Sequence, residues 1–150
     1  MADAGTVLLT IARAANAHWF FGNLYEELVR MPDRLADEHD SGRARLPSPV
    51  RYYVPALPAL VGGAVAAAVT GRRGPARGAL ATAAVSTVAG VGLTGFVVRT
   101  VIFRLIDDGP PLEQAERERL ITRWHRVNRV RLVLAAVAAI AYDRAARGGC

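Results

Sequence analysis

The chain has 150 residues, of which 52% are hydrophobic and 21% charged, and its mean hydropathy is +0.21. This apolar content exceeds what one small soluble core usually buries, so a membrane protein is the first class to test. All 19 basic residues are arginines, which gives a net charge of +6, and the single Cys150 excludes an intrachain disulfide and a cysteine-based zinc site.

The first segment predicts one long helix near residues 5–30. It begins with an apolar run and ends with aromatic and aliphatic residues, but it contains His18, Asn23, Glu26 and Glu27. His18 and Glu26 are eight residues apart, with Gly22 midway, so the three fall along one stripe of a helix. The stretch from Pro32 to Pro49 is polar, lacks sustained apolar periodicity and predicts a mobile loop that covers one end of the molecule.

The middle of the chain contains two uncharged stretches, of 20 residues from Tyr52 to Gly71 and of 21 residues from Gly78 to Val98. Each is long enough to cross a bilayer core of ~30 Å as a helix. The intervening sequence GRRGPARG predicts a short turn. We therefore expect a transmembrane hairpin with helices near 50–70 and 78–104.

The last segment predicts a helix near 112–146 that begins highly charged and then has only 11 uncharged residues, from Leu132 to Tyr142. Such a helix crosses a membrane only if its polar half faces other helices. The sequence thus predicts an all-α fold, a four-helix transmembrane bundle that forms a single domain over residues 1–150. The protein is then a multi-pass integral membrane protein of the cell membrane, with both termini on the side of the GRRGPARG turn. Its orientation and oligomeric state stay open.

Polar side chains from all four predicted helices gather at the end opposite that turn. On the last helix, His125, Asn128 and Arg131 project over a narrow arc, with His18 and Glu26 as available partners on the first. Ionisable groups at membrane depth are costly and normally face a protein interior or a wet cavity, which makes this cluster a candidate site. Arg123 and Arg126 fit interfacial snorkelling residues better than chemical groups.

Three segments stand out beside the four-crossing layout: RWHRVNRVRLVLAAVAAIAY near the C-terminus, and FFGNLYEELVRMP and SPVRYYVPALPAL earlier in the chain. In these features the sequence resembles the anthrone oxygenase family of small integral membrane proteins. The resemblance implies an enzyme of natural-product biosynthesis that oxidises an anthrone-type, polyketide-like lipophilic substrate with O2 and without a cofactor. The alternative enzymatic activity is a cyclisation or isomerisation that uses the same base and oxyanion-stabilising groups.

That chemistry needs a base, a partner for an oxyanion and a dry aromatic slot. His125 or His18 is the expected base, Arg131 or Arg99 the oxyanion partner, and Asn128 or Asn23 the orienting amide. Flat apolar surfaces for the substrate are expected from Trp19, Trp124, Tyr52 and Tyr53, although the two tyrosines also fit an interfacial aromatic belt.

Other classes of function are less well supported by the residues. A metal site of His18, His125 and a glutamate lacks any local HxH, HxxxH or ExxH spacing. No nucleotide-binding fingerprint occurs, and the arginines are spread over both ends instead of forming the single basic stripe expected of a nucleic-acid binder. The non-enzymatic alternative is a small membrane scaffold or transport accessory protein whose polar end binds a partner.

Overall fold

The computed structural model describes residues 4–40, 56–105 and 112–148. Its described residues contain no strand and form α1 (Ala4–Leu28), α2 (Met31–Asp40), α3 (Leu57–Thr70), α4 (Arg77–Val97) and α5 (Gln114–Gly148). Beyond Val97, α4 continues through a π-helical turn, Val98–Ile102, and a final α-helical turn, Phe103–Leu105. The predicted all-α fold is confirmed. The expected start of the second helix near residue 50 lies outside the described residues.

The four long helices pack in a ring, α1 against α3, α3 against α4, α4 against α5, and α5 against α1. Arg13 near the start of α1 lies 3.8 Å from Asp143 near the end of α5, so these two helices are antiparallel. We call the end of the bundle that holds Arg13, Asp143 and the Gly71–Ala76 turn the turn end. The opposite end, where α1 finishes at Leu28, is called the polar end.

The core at the turn end is built largely from alanines. Tyr142 is completely buried there beside Leu80 and among small side chains, which include Ala12, Ala64, Ala67, Ala83 and Ala138. Small residues let helix backbones approach closely: a Cβ added at Gly63 on α3 would meet the backbone of Ala12 on α1 at 3.4 Å. The core at this end is therefore tightly packed and contains few polar side chains.

The loop predicted from Pro32 to Pro49 is wrong for its first part, because Met31–Asp40 form α2. Pro32 stands in the first turn, where its missing N–H costs nothing. Pro32, Leu35 and Ala36 share one face of α2 and are buried. Ala36 packs against Val97, Val101 and Trp124. Only three apolar positions define this face, which is too few for a periodic pattern to stand out. Residues 41–49 lie outside the described ranges, and the mobility of this stretch stays a prediction.

Among the described residues, Arg77–Leu105 is the one helical stretch that is long and apolar enough to cross a membrane. The apolar helix α3 has 14 described residues, fewer than a crossing helix needs. Length and hydropathy therefore support one membrane crossing. That the bundle crosses the membrane four times is a proposal.

Candidate functional site

The inward face of α5 carries polar residues at the polar end of the bundle and apolar residues below them. Its buried residues recur every three or four positions, and Trp124, Asn128 and Arg131 precede Ala135 and Ala138 on this face. Asn128 is 0% exposed and Arg131 only 4% exposed. A buried amide and a buried guanidinium are costly unless their hydrogen bonds are satisfied, so their partners define the site.

Asn128 makes three hydrogen bonds, two of which join α5 to α1. Its Nδ2 donates to the backbone oxygen of Asn23 at 3.1 Å and to Oε2 of Glu27 at 2.9 Å. Its Oδ1 accepts from Nη1 of Arg131 at 3.2 Å. Both amide protons and the amide oxygen are thus engaged, so the side chain has one orientation in which all its contacts are made.

Arg131 lies between a carboxylate and an aromatic ring of α1. Its Nη1 is 3.8 Å from Oε2 of Glu26, and its guanidinium carbon lies 5.4 Å from the centre of the Trp19 ring. The carboxylate and the face of the indole both compensate a buried cation. Glu26, Arg131 and Asn128 therefore form a charged and hydrogen-bonded layer across the α1–α5 contact.

His125 lies between two carboxylates on different helices. Its Nδ1 is 3.1 Å from Oε2 of Glu27 on α1, and its Nε2 is 3.3 Å from Oδ2 of Asp33 on α2. The imidazole also meets the Trp124 ring edge to face, with centroids 5.2 Å apart. Because the ring separates the two carboxylates, the three groups do not converge on one point as the ligands of a metal ion would.

Glu27 is the centre of the charge network. Besides Asn128 and His125, its carboxylate accepts a hydrogen bond of 3.2 Å from Nε of Arg129. Three side chains of α5 therefore converge on one carboxylate of α1. This convergence fixes the position of His125 relative to the buried layer.

α2 covers the polar end and is held there by two polar contacts with α5. Asp33 approaches His125, and Oδ1 of Asp37 lies 2.5 Å from Nη2 of Arg117 on α5. The chain reverses into α2 at Arg30, whose φ of 51° is in the left-handed region. Beside this cover an open groove of about 630 Å³ reaches His125; it is lined by Glu27, Arg30, Thr122, His125, Arg126 and Arg129.

The structure brings together most of the residues that the sequence nominated. Asn23, Glu26, Trp19, His125, Asn128 and Arg131 make the contacts described above, and Trp124 packs in the core cluster beneath α2. His18 is half-buried two turns before Glu26, about 12 Å away along the helix axis. Arg99 is exposed on the π-helical turn. Tyr52 and Tyr53 lie outside the described residues.

Three residues of the network, Glu27, Asp33 and Arg129, are not among the sequence candidates for chemistry. The sequence presents Glu27 as one polar residue of the first helix and places Asp33 in a predicted loop. The buried stripe of α1 runs through Ala12, Asn16, Trp19 and Asn23 at spacings of four, three and four residues. Continuing this spacing leads to Glu26 and Glu27. Gly22 is buried beside this stripe, whereas His18 is only half-buried. Asn16 on the same stripe donates to the backbone oxygen of Ala135 at 3.0 Å.

Comparison with known families identifies one match, to the family described as anthrone oxygenase, over residues 49–141. The matched stretch includes α3, α4 and the part of α5 that holds Trp124, His125, Asn128 and Arg131, while α1 and α2 precede it. Comparison with curated proteins gives no match. Comparison with solved structures gives none either. Because the family match covers more than half of the chain, the protein belongs to the anthrone oxygenase family.

Proposed function

We propose that the protein is a membrane-embedded, cofactor-free oxygenase of natural-product biosynthesis that acts on an anthrone-type lipophilic aromatic substrate at the polar end of the bundle. The observation that carries the proposal is the network in which Glu27 on α1 holds His125 and Asn128 of α5 within 3.1 Å. Family membership supports oxygenation as the reaction class. The network supplies a histidine at the edge of an open groove, which is what a proton-abstracting enzyme needs.

Membrane embedding is supported by the outer faces of the helices. Large apolar side chains are exposed on all four long helices: Phe21 on α1 is 65% exposed, Val85 on α4 is 69% exposed and Val133 on α5 is 62% exposed, and Val65 and Val69 of α3 are also exposed. Apolar residues distributed around the whole bundle are typical of a surface that faces lipid. This distribution complements the one stretch that meets the length and hydropathy criterion.

The reaction converts a methylene between two aromatic rings into a carbonyl. One anthrone and one O2 give one anthraquinone and one water, so one oxygen atom enters the product and the other leaves as water. The first step is removal of a methylene proton, which gives a delocalised anion that transfers an electron to O2. The protein must therefore accept a proton, stabilise an oxyanion and orient the ring system.

We assign proton acceptance to Nε2 of His125, because this atom makes the longer of the two carboxylate contacts and faces α2. Glu27, at 3.1 Å from Nδ1, holds the ring and stabilises the imidazolium that forms. The contact to Asp33 must open for substrate to reach Nε2. Arg129 lines the groove beside Glu27 and is the guanidinium that meets the substrate oxyanion.

Asn128 and Arg131 act in this proposal as positioning residues. Both amide protons of Asn128 are engaged by α1, and Arg131 is buried against Trp19. Their role is to hold Glu27 in the place where it fixes His125. The two indole rings are packed into core clusters, so they support the site from behind.

The test is turnover in membranes that contain the protein, supplied with an anthrone under ¹⁸O2. The proposal predicts that O2 uptake equals anthraquinone formation and that the product gains one ¹⁸O atom. Conversion of a substrate without O2 uptake would instead identify the cyclase or isomerase reaction. Product formation no faster than in membranes without the protein would contradict the oxygenase proposal.

A further inference from the structure

We propose that the outward face of α5 is a binding site for an anionic glycerophospholipid. The lipid phosphate lies on Arg119, Arg123 and Arg126, and an acyl chain lies along the aliphatic side chains that follow them. The site rests on the membrane embedding proposed above and is separate from the oxidation chemistry.

Eight exposed residues form a single stripe on α5. Their spacing alternates between four and three residues, which keeps them on one side of a helix; they are Arg119, Arg123, Arg126, Val130, Val133, Val137, Ile140 and Arg144. The stripe therefore consists of three guanidinium groups, then four branched aliphatic side chains, and finally Arg144 at the turn end. A lipid has the same order of chemistry along its length, a charged headgroup followed by hydrocarbon.

The three arginines at the polar end of the stripe carry charge that the described part of the protein does not compensate. No ion pair or hydrogen bond described within residues 4–40, 56–105 and 112–148 engages Arg119, Arg123 or Arg126. By contrast, the neighbouring Arg117 pairs with Asp37 and Arg129 with Glu27. At the polar end of α5, Arg119, Arg123 and Arg126 are thus available to an external anion.

The surface around these arginines is concave. A second open groove, of about 540 Å³, is lined by Ala115, Glu118, Arg119, Thr122, Arg123 and Arg126. It adjoins the groove beside His125, with which it shares Thr122 and Arg126. The acidic Glu118 accepts a hydrogen bond from Gln114 at 3.0 Å. The groove therefore offers a phosphate three guanidinium groups and the hydroxyl of Thr122.

The length of the stripe fits a bilayer. Arg126 and Arg144 are 18 residues apart, which is about 27 Å along a helix, close to the ~30 Å thickness of a hydrocarbon core. The aliphatic residues between them then face acyl chains, and the arginines at the polar end lie at the depth of phosphate groups. Arginine side chains are long and can reach outward to the headgroups, so a helix segment slightly shorter than the hydrocarbon core still places its guanidinium groups there.

The test measures lipid-dependent stabilisation of the purified full chain in detergent. Phosphatidylglycerol is titrated against phosphatidylcholine, and the melting temperature gives the apparent affinity. The variant R119Q/R123Q/R126Q is compared with R72Q/R73Q/R77Q, which removes three exposed arginines from the turn end and changes the net charge equally. Each basic residue close to an anionic lipid strengthens binding about fivefold, so we expect the α5 variant to bind phosphatidylglycerol about a hundredfold more weakly. The turn-end variant should bind as the wild type does.

Three results would overturn the site: equal stabilisation by the two lipids, equal weakening in the two triple variants, or equal stabilisation by glycerol phosphate, which has no acyl chain. If the α5 triple variant does not fold, the single variants R119Q and R126Q should each weaken binding about fivefold against R72Q, and R119K/R123K/R126K should keep it. If His125→Ala loses anthrone turnover but binds lipid as the wild type does, the change affects the oxidation site and the lipid site is supported. Recovery of the protein as a stable monomer without detergent would overturn the membrane embedding and the lipid site together.

Discussion

Asn128 on α5 donates a hydrogen bond of 2.9 Å to the carboxylate of Glu27 on α1. The same amide donates to the backbone of Asn23 and accepts from Arg131. Since Glu27 also contacts His125, one completely buried amide determines both how the two helices meet and where the histidine stands.

Replacing Asn128 should cost much more stability than replacing Asn16, another buried asparagine of this contact. Asn128→Ala removes one hydrogen bond each from Glu27, Arg131 and the Asn23 carbonyl, and we expect a loss of about 2–4 kcal/mol. Asn16→Ala deprives the carbonyl of Ala135 of its side-chain donor and should cost about 1 kcal/mol. Unfolding of the purified variants in detergent measures both, and equal losses would contradict the central role of Asn128.

The two adjacent glutamates should separate stability from activity. Glu27→Gln keeps the shape of the side chain but removes the charge that holds His125, so turnover should fall about 10- to 100-fold with a small change in melting temperature. Glu26→Gln removes the counter-charge of the buried Arg131 and should lower stability by about 1–3 kcal/mol. Measuring kcat and the melting temperature for both variants tests this; an equal fall of kcat in both would contradict it.

Asp33 should hold α2 over the polar end. Asp33→Asn weakens the contact with His125 by up to about 1 kcal/mol, which corresponds to amide exchange in Met31–Asp40 about fivefold faster. Arg34→Gln is the matched control, because Arg34 is exposed on the same helix and has no ion pair within the described residues. Hydrogen exchange read by mass spectrometry measures both variants. Unchanged exchange in Asp33→Asn would show that Pro32, Leu35 and Ala36 hold α2 by packing alone.

The turn into α2 should favour glycine at position 30. Arg30 has a φ of 51° and makes an exposed ion pair with Asp33. Arg30→Gly removes about 1 kcal/mol of backbone strain and loses a pair worth about 0–1 kcal/mol, so the variant should be as stable as the wild type or more stable. Arg30→Val, with a β-branched side chain in the left-handed region, should be less stable by about 1–2 kcal/mol. Thermal unfolding of the pair decides, and equal stability of the two variants would rule out strain at this turn.

The sequence predicted the inward face of α5 better than that of α1. On α5 the predicted arc consists of His125, Asn128 and Arg131; Asn128 and Arg131 are buried, and His125 is half-buried beside them. On α1 the spacing of His18, Gly22 and Glu26 is equally regular in the sequence. Each four-residue step, however, turns 40° beyond a full helical turn, so such a stripe gradually winds around the helix. The buried stripe through Trp19 and Asn23 instead leads to Glu27. Only the packing of α1 against α5 shows which of the two stripes is buried.

α2 could not be predicted from periodicity, because its charged residues outnumber the three that it buries. Its position depends on partners distant in the chain, Asp33 with His125 and Asp37 with Arg117. Such contacts connect residues about 80 to 90 positions apart and leave no local pattern. The π-helical turn at Val98–Ile102 likewise has no signal in the alternation of apolar residues.

The location of the active site is tested most directly by the initial rate of anthrone oxidation in membranes that contain equal amounts of wild type, His125→Ala and Arg73→Gln. Arg73 is exposed at the turn end and serves as the control for a change far from the polar end. Removal of a general base typically costs about 10²- to 10⁴-fold in rate, so His125→Ala should lose at least a hundredfold while Arg73→Gln keeps the wild-type rate. A wild-type rate in His125→Ala together with loss of activity in Arg73→Gln would contradict the account and move the site to the turn end.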